Sequence, residues 1–211
     1  MNSEQNVIEF YSLCNKLKDV IRTGWINWDV KRNRIESVAE HVYGVQMLAI
    51  AMWSEFKYDI DLKKVLFMLV IHELEEIIIG DLTIFEIDRK TKKEIGHSAV
   101  EKILKNLTNR DEIQNLIYEF DERKTKDAIF AYQCDKLEAD IQCKLYDEEN
   151  CVEYEAQMNN VSTKEKELYK LYNESNSWSI IWIKCGQQKY NYDENFLKVS
   201  NYIMNKEISK K

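Results

Sequence analysis

The chain is 211 residues long, enough for one domain of ordinary size with a continuous core. Apolar residues make up 45% and charged residues 32%, a balance that excludes a disordered chain. Its net charge of −7 arises from acids and bases scattered along the sequence without a basic stripe, which argues against long nucleic acid as a partner. A small phosphate ester stays open, because one or two arginines suffice to hold it.

Proline is absent and glycine occurs only five times, so few residues interrupt helical winding and an all-α fold is predicted. A first helix covers about residues 3–21, with Val7, Phe10, Leu13, Leu17 and Val20 on one face. A loop runs from Arg22 to Glu36. Ser37 and Glu40 then have the spacing of a capping box, which starts a helix reaching about Lys57. Asp61 caps a third helix that ends at Gly80, a residue suited to a left-handed C-terminal position. Further helices are predicted near 90–107, 111–121, 125–149 and 163–174, and a last one from Glu194 to Ile208. The stretch "NSWSIIWIKCGQQKYNYD" suits a strand, a loop or a short helix. Nothing marks a second domain, so residues 1–211 are read as one.

The five cysteines are odd in number and lack C-x-x-C spacing, which suits buried thiols in a reducing cytoplasm. "MNSEQNVIEF" has no secretory pattern, and the apolar run Val65 to Ile71 is far too short to span a bilayer.

The third helix poses the chemical question. "VLFMLVIHELEEIIIGDLT" is strongly apolar yet carries a histidine and three glutamates, and burial of ionisable groups is costly without a partner. His72 and Glu76, spaced i and i+4, share a helix face, and Glu73 is rotated by about 100° from His72. His41 lies just after the capping box. Asp135 follows the apolar "AIFAYQC", where a solvated aspartate is hard to explain. His41, His72, Glu73 and Asp135 thus form a candidate mononuclear site for a divalent ion drawn from three helices. Glu75 is assigned to the solvated face, and His97 to an exposed position.

The pattern "RTGW…RIESVAEH…IHELEEIIIGDL…QCDKLEADIQ" resembles the HD-domain metal-dependent phosphohydrolases, and is most similar to their 5′-deoxynucleotidase branch. The similarity covers about residues 17–149, leaving helices of residues 150–211 to pack on a compact HD-type bundle. It implies hydrolysis of (deoxy)nucleoside 5′-monophosphates with one divalent ion, Mn²⁺, Co²⁺ or Mg²⁺. It implies metal ligation by His41, His72 and Asp135, with Glu73 standing where the family has aspartate. Glu76 takes the place of a carboxylate assisting the attacking water or the leaving group. Asp81 takes that of a sugar contact, although it could instead cap the residues after Gly80. Arg22 and Trp25 fall on positions lining the phosphate and substrate entrance. Trp25 and Trp28 could form a lid or pack against the first helix, and Trp178, Trp182, Tyr190 and Tyr192 could pack the domain or a partner. A homodimer is expected by analogy with small enzymes of this kind. Two alternatives stand beside this reading: hydrolysis of another phosphate ester, and a catalytically weak protein that binds nucleotide or metal.

Overall fold

The computed structural model describes residues 2–83, 86–153 and 177–209. Among them the fold is all-α, with no strand and one isolated antiparallel bridge joining Ile21 to Ser37. No helix of these residues is long and apolar enough to cross a membrane. The predicted helix at 163–174 lies outside the described residues.

The helices are α1 (Ser3–Cys14), α2 (Thr23–Asn27), α3 (Val38–Phe56), α4 (Leu62–Ile71), α5 (Glu76–Ile79), α6 (Arg89–Leu104), α7 (Arg110–Glu122), α8 (Lys126–Glu148), α9 (Trp178–Lys189) and α10 (Glu194–Asn205). They fall into two compact units, Met1–Gly24 with Glu36–Tyr132, and Trp25–Ile35 with Gln133–Lys211.

In the first unit, α1 is shorter than its apolar spacing predicts. It stops at Cys14 and tightens into a 3₁₀ turn over Asn15–Lys18, which buries Leu17 against Val38 and Val42. The capping box forms as its spacing predicts: Ser37 accepts from the Glu40 N–H, and Glu40 accepts from the Ser37 N–H at 3.0 Å. Asp61 caps α4 through the Lys63 and Lys64 N–H groups, while its own N–H donates to Asp127 at the start of α8. A second apolar cluster joins Ile71 and Leu74 to Val100, Ile103 and Leu104 of α6 and Ile117 of α7.

The third predicted helix is broken. It is helical from Leu62 to Ile71, turns over His72–Glu75, and resumes as α5 up to Gly80, which adopts φ +74°. Across the break, Leu74, Glu76 and Ile77 N–H groups donate three residues back, to Ile71, Glu73 and Leu74. Winding of that kind has three residues per turn and aligns positions i and i+3. It therefore aligns Glu73 with Glu76, replacing the expected alignment of His72 with Glu76.

The second unit is built around tryptophans. Trp25, Val30, Cys143, Tyr146, Cys151 and Trp178 form its buried cluster, with Trp28 and Trp182 packed against it. The ambiguous aromatic stretch is thus the helix α9, and α10 ends at Asn205, three residues short of the predicted end. Beside that cluster, Asp140 of α8 is fully buried and accepts from the Tyr192 hydroxyl at 2.9 Å. Gly186 of α9 comes so close that a Cβ there would meet the Asp140 carboxylate oxygens at 2.8 and 2.9 Å.

Burial pushes the Asp140 carboxyl up to about 8, against the hydrogen bonds from Tyr192 and Trp182 that oppose it. The folded protein then holds this proton over a range where the unfolded chain has released it. The associated stability is complete below about pH 4 and is lost as the pH rises towards about 8. Asp140→Asn cannot ionise, so its melting temperature should fall less than the wild type's between pH 5 and pH 8, roughly the window between the two ionisations. Thermal melts at both pH values check this, and equal slopes in the two proteins would contradict it.

Candidate metal centre

The first unit brings three expected ligands together. His41 sits in the first turn of α3, where its N–H bonds back to the Ser37 carbonyl, so the capping box sets the direction of the imidazole. The ring is fully buried. His72 is the C-cap residue directly after α4, and its Nδ1 lies 2.7 Å from the Leu69 carbonyl oxygen. A carbonyl can only accept, so Nδ1 carries the hydrogen and Nε2 keeps its lone pair. Glu73 Oε1 stands 3.6 Å from His72 Nε2 and 3.9 Å from His41 Nε2.

These donor atoms all lie within 4.8 Å of one another. Two donors each bound at about 2.1 Å in tetrahedral array stand about 3.4 Å apart, so the spacings fit a divalent ion among them. The donor chemistry fits as well: imidazole lone pairs with a carboxylate, and one imidazole oriented through its other nitrogen. The additional methylene of glutamate does not withdraw this carboxylate from the histidines, since Oε1 faces both.

Asp135 is buried on α8 in the second unit, three residues past Tyr132, with its Oδ2 at 2.7 Å from Lys136 Nζ. Arg22 Nη1 is 3.4 Å from Glu73 Oε1. Asp81 bonds to the start of α2: its Oδ2 accepts from the Thr23 N–H at 2.7 Å, one residue after Arg22. Trp25 is not a lid. It is 2% exposed and packs edge-on against Tyr146 and Trp178 in the second unit, because an indole buries more apolar surface there than at an open entrance.

Glu75 departs from its assigned solvated face. It is half-buried, one oxygen is buried with no hydrogen-bond partner among the described residues, and it packs 3.3 Å from where a Cβ on Gly96 would stand. Burial first, then the charge of Glu73, pushes its carboxyl up to about 8. Glu76 is 1% exposed, and burial, Glu73 and Asp81 hold its carboxyl well above the usual range. His97 is half-buried and paired, with Nε2 at 2.6 Å from Asp121, and is not the exposed residue expected.

Lys92 of α6 was not singled out by its sequence, yet its ammonium is 3.4 Å from Glu76 and 2.8 Å from the Leu82 carbonyl. The signal was available in the spacing. Counting back from buried Gly96 and Ala99 by four and seven residues puts Lys92 on the core-facing stripe of α6, apart from exposed Lys90 and Lys93.

Manganese should stabilise this protein through the His41, His72 and Glu73 donors, by about 2.7 kcal/mol at a concentration of 100 times its Kd. His72→Ala should lower manganese affinity by more than tenfold in calorimetric titration, and manganese should no longer raise its melting temperature. An equal manganese-dependent rise in both proteins would count against the site.

The sequence pattern of the HD domain matches residues 14–175. The 5′-deoxynucleotidase HDDC2 of Dictyostelium discoideum is 31% identical over 152 residues, spanning 68% of this chain and 79% of its own. The Homo sapiens protein of the same name is 26% identical over 150 residues, spanning 68% and 70%. Among solved structures, a Pyrococcus horikoshii protein shares 22% identity and superposes with a TM-score of 0.64 over 94% of this chain and 98% of its own. One described as a predicted metal-dependent phosphohydrolase from Magnetospirillum magnetotacticum shares 25% identity, with a TM-score of 0.58 over 68% and 73%. The family pattern takes in the two histidines, Glu73 and the helices that carry them, and this chain belongs to the HD-domain family.

Proposed function

We propose that this protein is a metal-dependent phosphomonoesterase that releases phosphate from 5′-deoxynucleoside monophosphates. The observation that carries the proposal is the gathering of the His41, His72 and Glu73 donor atoms within 4.8 Å. The two relatives named 5′-deoxynucleotidase supply the substrate class.

His41, His72 and Glu73 hold one divalent ion, Mn²⁺, Co²⁺ or Mg²⁺, and Asp135 is the fourth ligand. Burial of its carboxylate supports that assignment. An ion bound there supplies Lewis-acid activation of water and positive charge for the phosphoryl oxygens. Hydrolysis joins the water oxygen to phosphorus and breaks the bond from phosphorus to the 5′ oxygen, which leaves with the electron pair and needs a proton. Glu76 is the group that moves protons: it is buried, and one of its oxygens is unpartnered among the described residues. Arg22, which reaches Glu73, stabilises the phosphate. Asp81 fixes the backbone beside Arg22 through Thr23 with one carboxylate oxygen, and the other makes the sugar contact.

The working form is a homodimer. Tyr43, Met47, Ile50 and Trp53 make an exposed apolar stripe along α3, of the sort that a second copy covers. Five free cysteines agree with a reducing, cytoplasmic setting.

A panel of phosphate esters assayed with Mn²⁺, Co²⁺ and Mg²⁺ tests the activity. Free phosphate should come fastest from 5′-deoxynucleoside monophosphates, and preferred release from a phosphodiester or an unrelated ester would overturn the substrate class. Glu73→Asp tests the ligand. Shortening the side chain withdraws the carboxylate by about 1.5 Å, one covalent bond, from histidines it already faces. A fall in kcat/KM of at least about tenfold is therefore expected, of the size that loss of one positioned interaction produces. A large gain would identify the native site as impaired and favour a binding protein with little turnover.

A further inference from the structure

We infer that Lys92 is a positioning residue that fixes which oxygen of Glu76 is free to react. The inference rests on the proton-transfer role proposed for Glu76 and extends it to a residue outside that assignment. Lys92 reaches the site from α6, and its side chain is 29% exposed while that of Glu76 is 1% exposed. The ammonium stands 3.4 Å from Glu76 Oε1 and donates to the Leu82 carbonyl oxygen at 2.8 Å. Glu76 Oε2 is buried and has no hydrogen-bond partner among the described residues. One carboxylate oxygen is therefore tethered and the other is left for substrate or water.

The second contact makes this more than an ion pair. Leu82 directly follows Asp81 in the turn that begins at Gly80, where the Leu82 N–H donates to the Gly80 carbonyl at 3.0 Å. Asp81 in turn holds the Thr23 N–H, next to Arg22. Lys92 thus ties the proton-transfer carboxylate to the turn that secures the arginine, with a charge-assisted contact at each end of the tie. Its charge is kept for that purpose. Burial lowers the proton affinity of the amine, but Glu73, Glu76, Asp81 and Glu75 together outweigh burial and raise it.

Lys92→Met keeps most of the stem and removes the charge. Measured on 5′-deoxynucleoside monophosphate with manganese, it should lower kcat about 10- to 100-fold, the lower part of what a placed acid or base contributes, with KM within about twofold. Lys92→Arg keeps the charge and should recover most of the loss. In the Glu76→Gln background, Lys92→Met should cause no further loss, because a residue acting through Glu76 has nothing left to position. Wild-type kcat in Lys92→Met, a raised KM with unchanged kcat, no recovery with arginine, or additive losses in the double variant would each overturn the inference. Crystal structures of wild type and Lys92→Met give a readout independent of turnover. The Glu76 carboxylate should leave its position in the variant, and an unmoved carboxylate would overturn the inference. A wild type that releases no phosphate would instead defeat the proposed activity, so the two failures are separable.

Discussion

Carboxylates crowded into a buried space dominate the first unit. Glu73, Glu75, Glu76 and Asp81 act on one another strongly enough that burial and mutual repulsion raise the proton affinity of Glu75 and Glu76. Two unit charges about 4 Å apart interact by about 4 kcal/mol at the effective dielectric of a protein edge, so such a group cannot persist ionised without nearby cations. The chain provides two, Arg22 against Glu73 and Lys92 against Glu76. A divalent ion held as proposed between Glu73 and the two histidines would be the third. The same crowding would make the site receptive to a metal, and ion binding would then be linked to folding stability.

The scaffold answers this with short-range devices. The capping box fixes the start of α3 and with it the phase of His41. The Leu69 carbonyl fixes the tautomer of His72, and the Thr23 N–H occupies one oxygen of Asp81. The first two settle a side chain within about a turn, and the third joins the turn after α5 to the start of α2. Fixed groups need little rearrangement when charge develops, which is the condition for electrostatic catalysis.

Local signals explain which features could be read from the sequence. Ser37 with Glu40, Asp61 before an apolar run and the Gly80 terminus each act over a few residues, and all three took the expected form. Helical class followed from missing breakers. The continuity of the third helix misled, because glutamate and isoleucine are compatible with helix and nothing in "HELEE" announces tighter winding. Glu75 was misassigned for the same reason, since its face was deduced from a regular helix. Trp25 found its partners in Tyr146 and Trp178, more than a hundred residues away, and no pattern near Trp25 encodes that. Lys92 was legible in principle but hidden in a lysine-rich run where a solvated face is the ordinary reading.

The interruption between α4 and α5 bears on how this stretch can change. Along an uninterrupted helix, insertion of a residue rotates everything beyond it by a regular angle, which a neighbouring helix can absorb by sliding. Here the separation of imidazole from carboxylates is set by three short-range backbone bonds, with no pitch over which to spread an error. Side chains in the segment can therefore be exchanged more easily than its residue count can change.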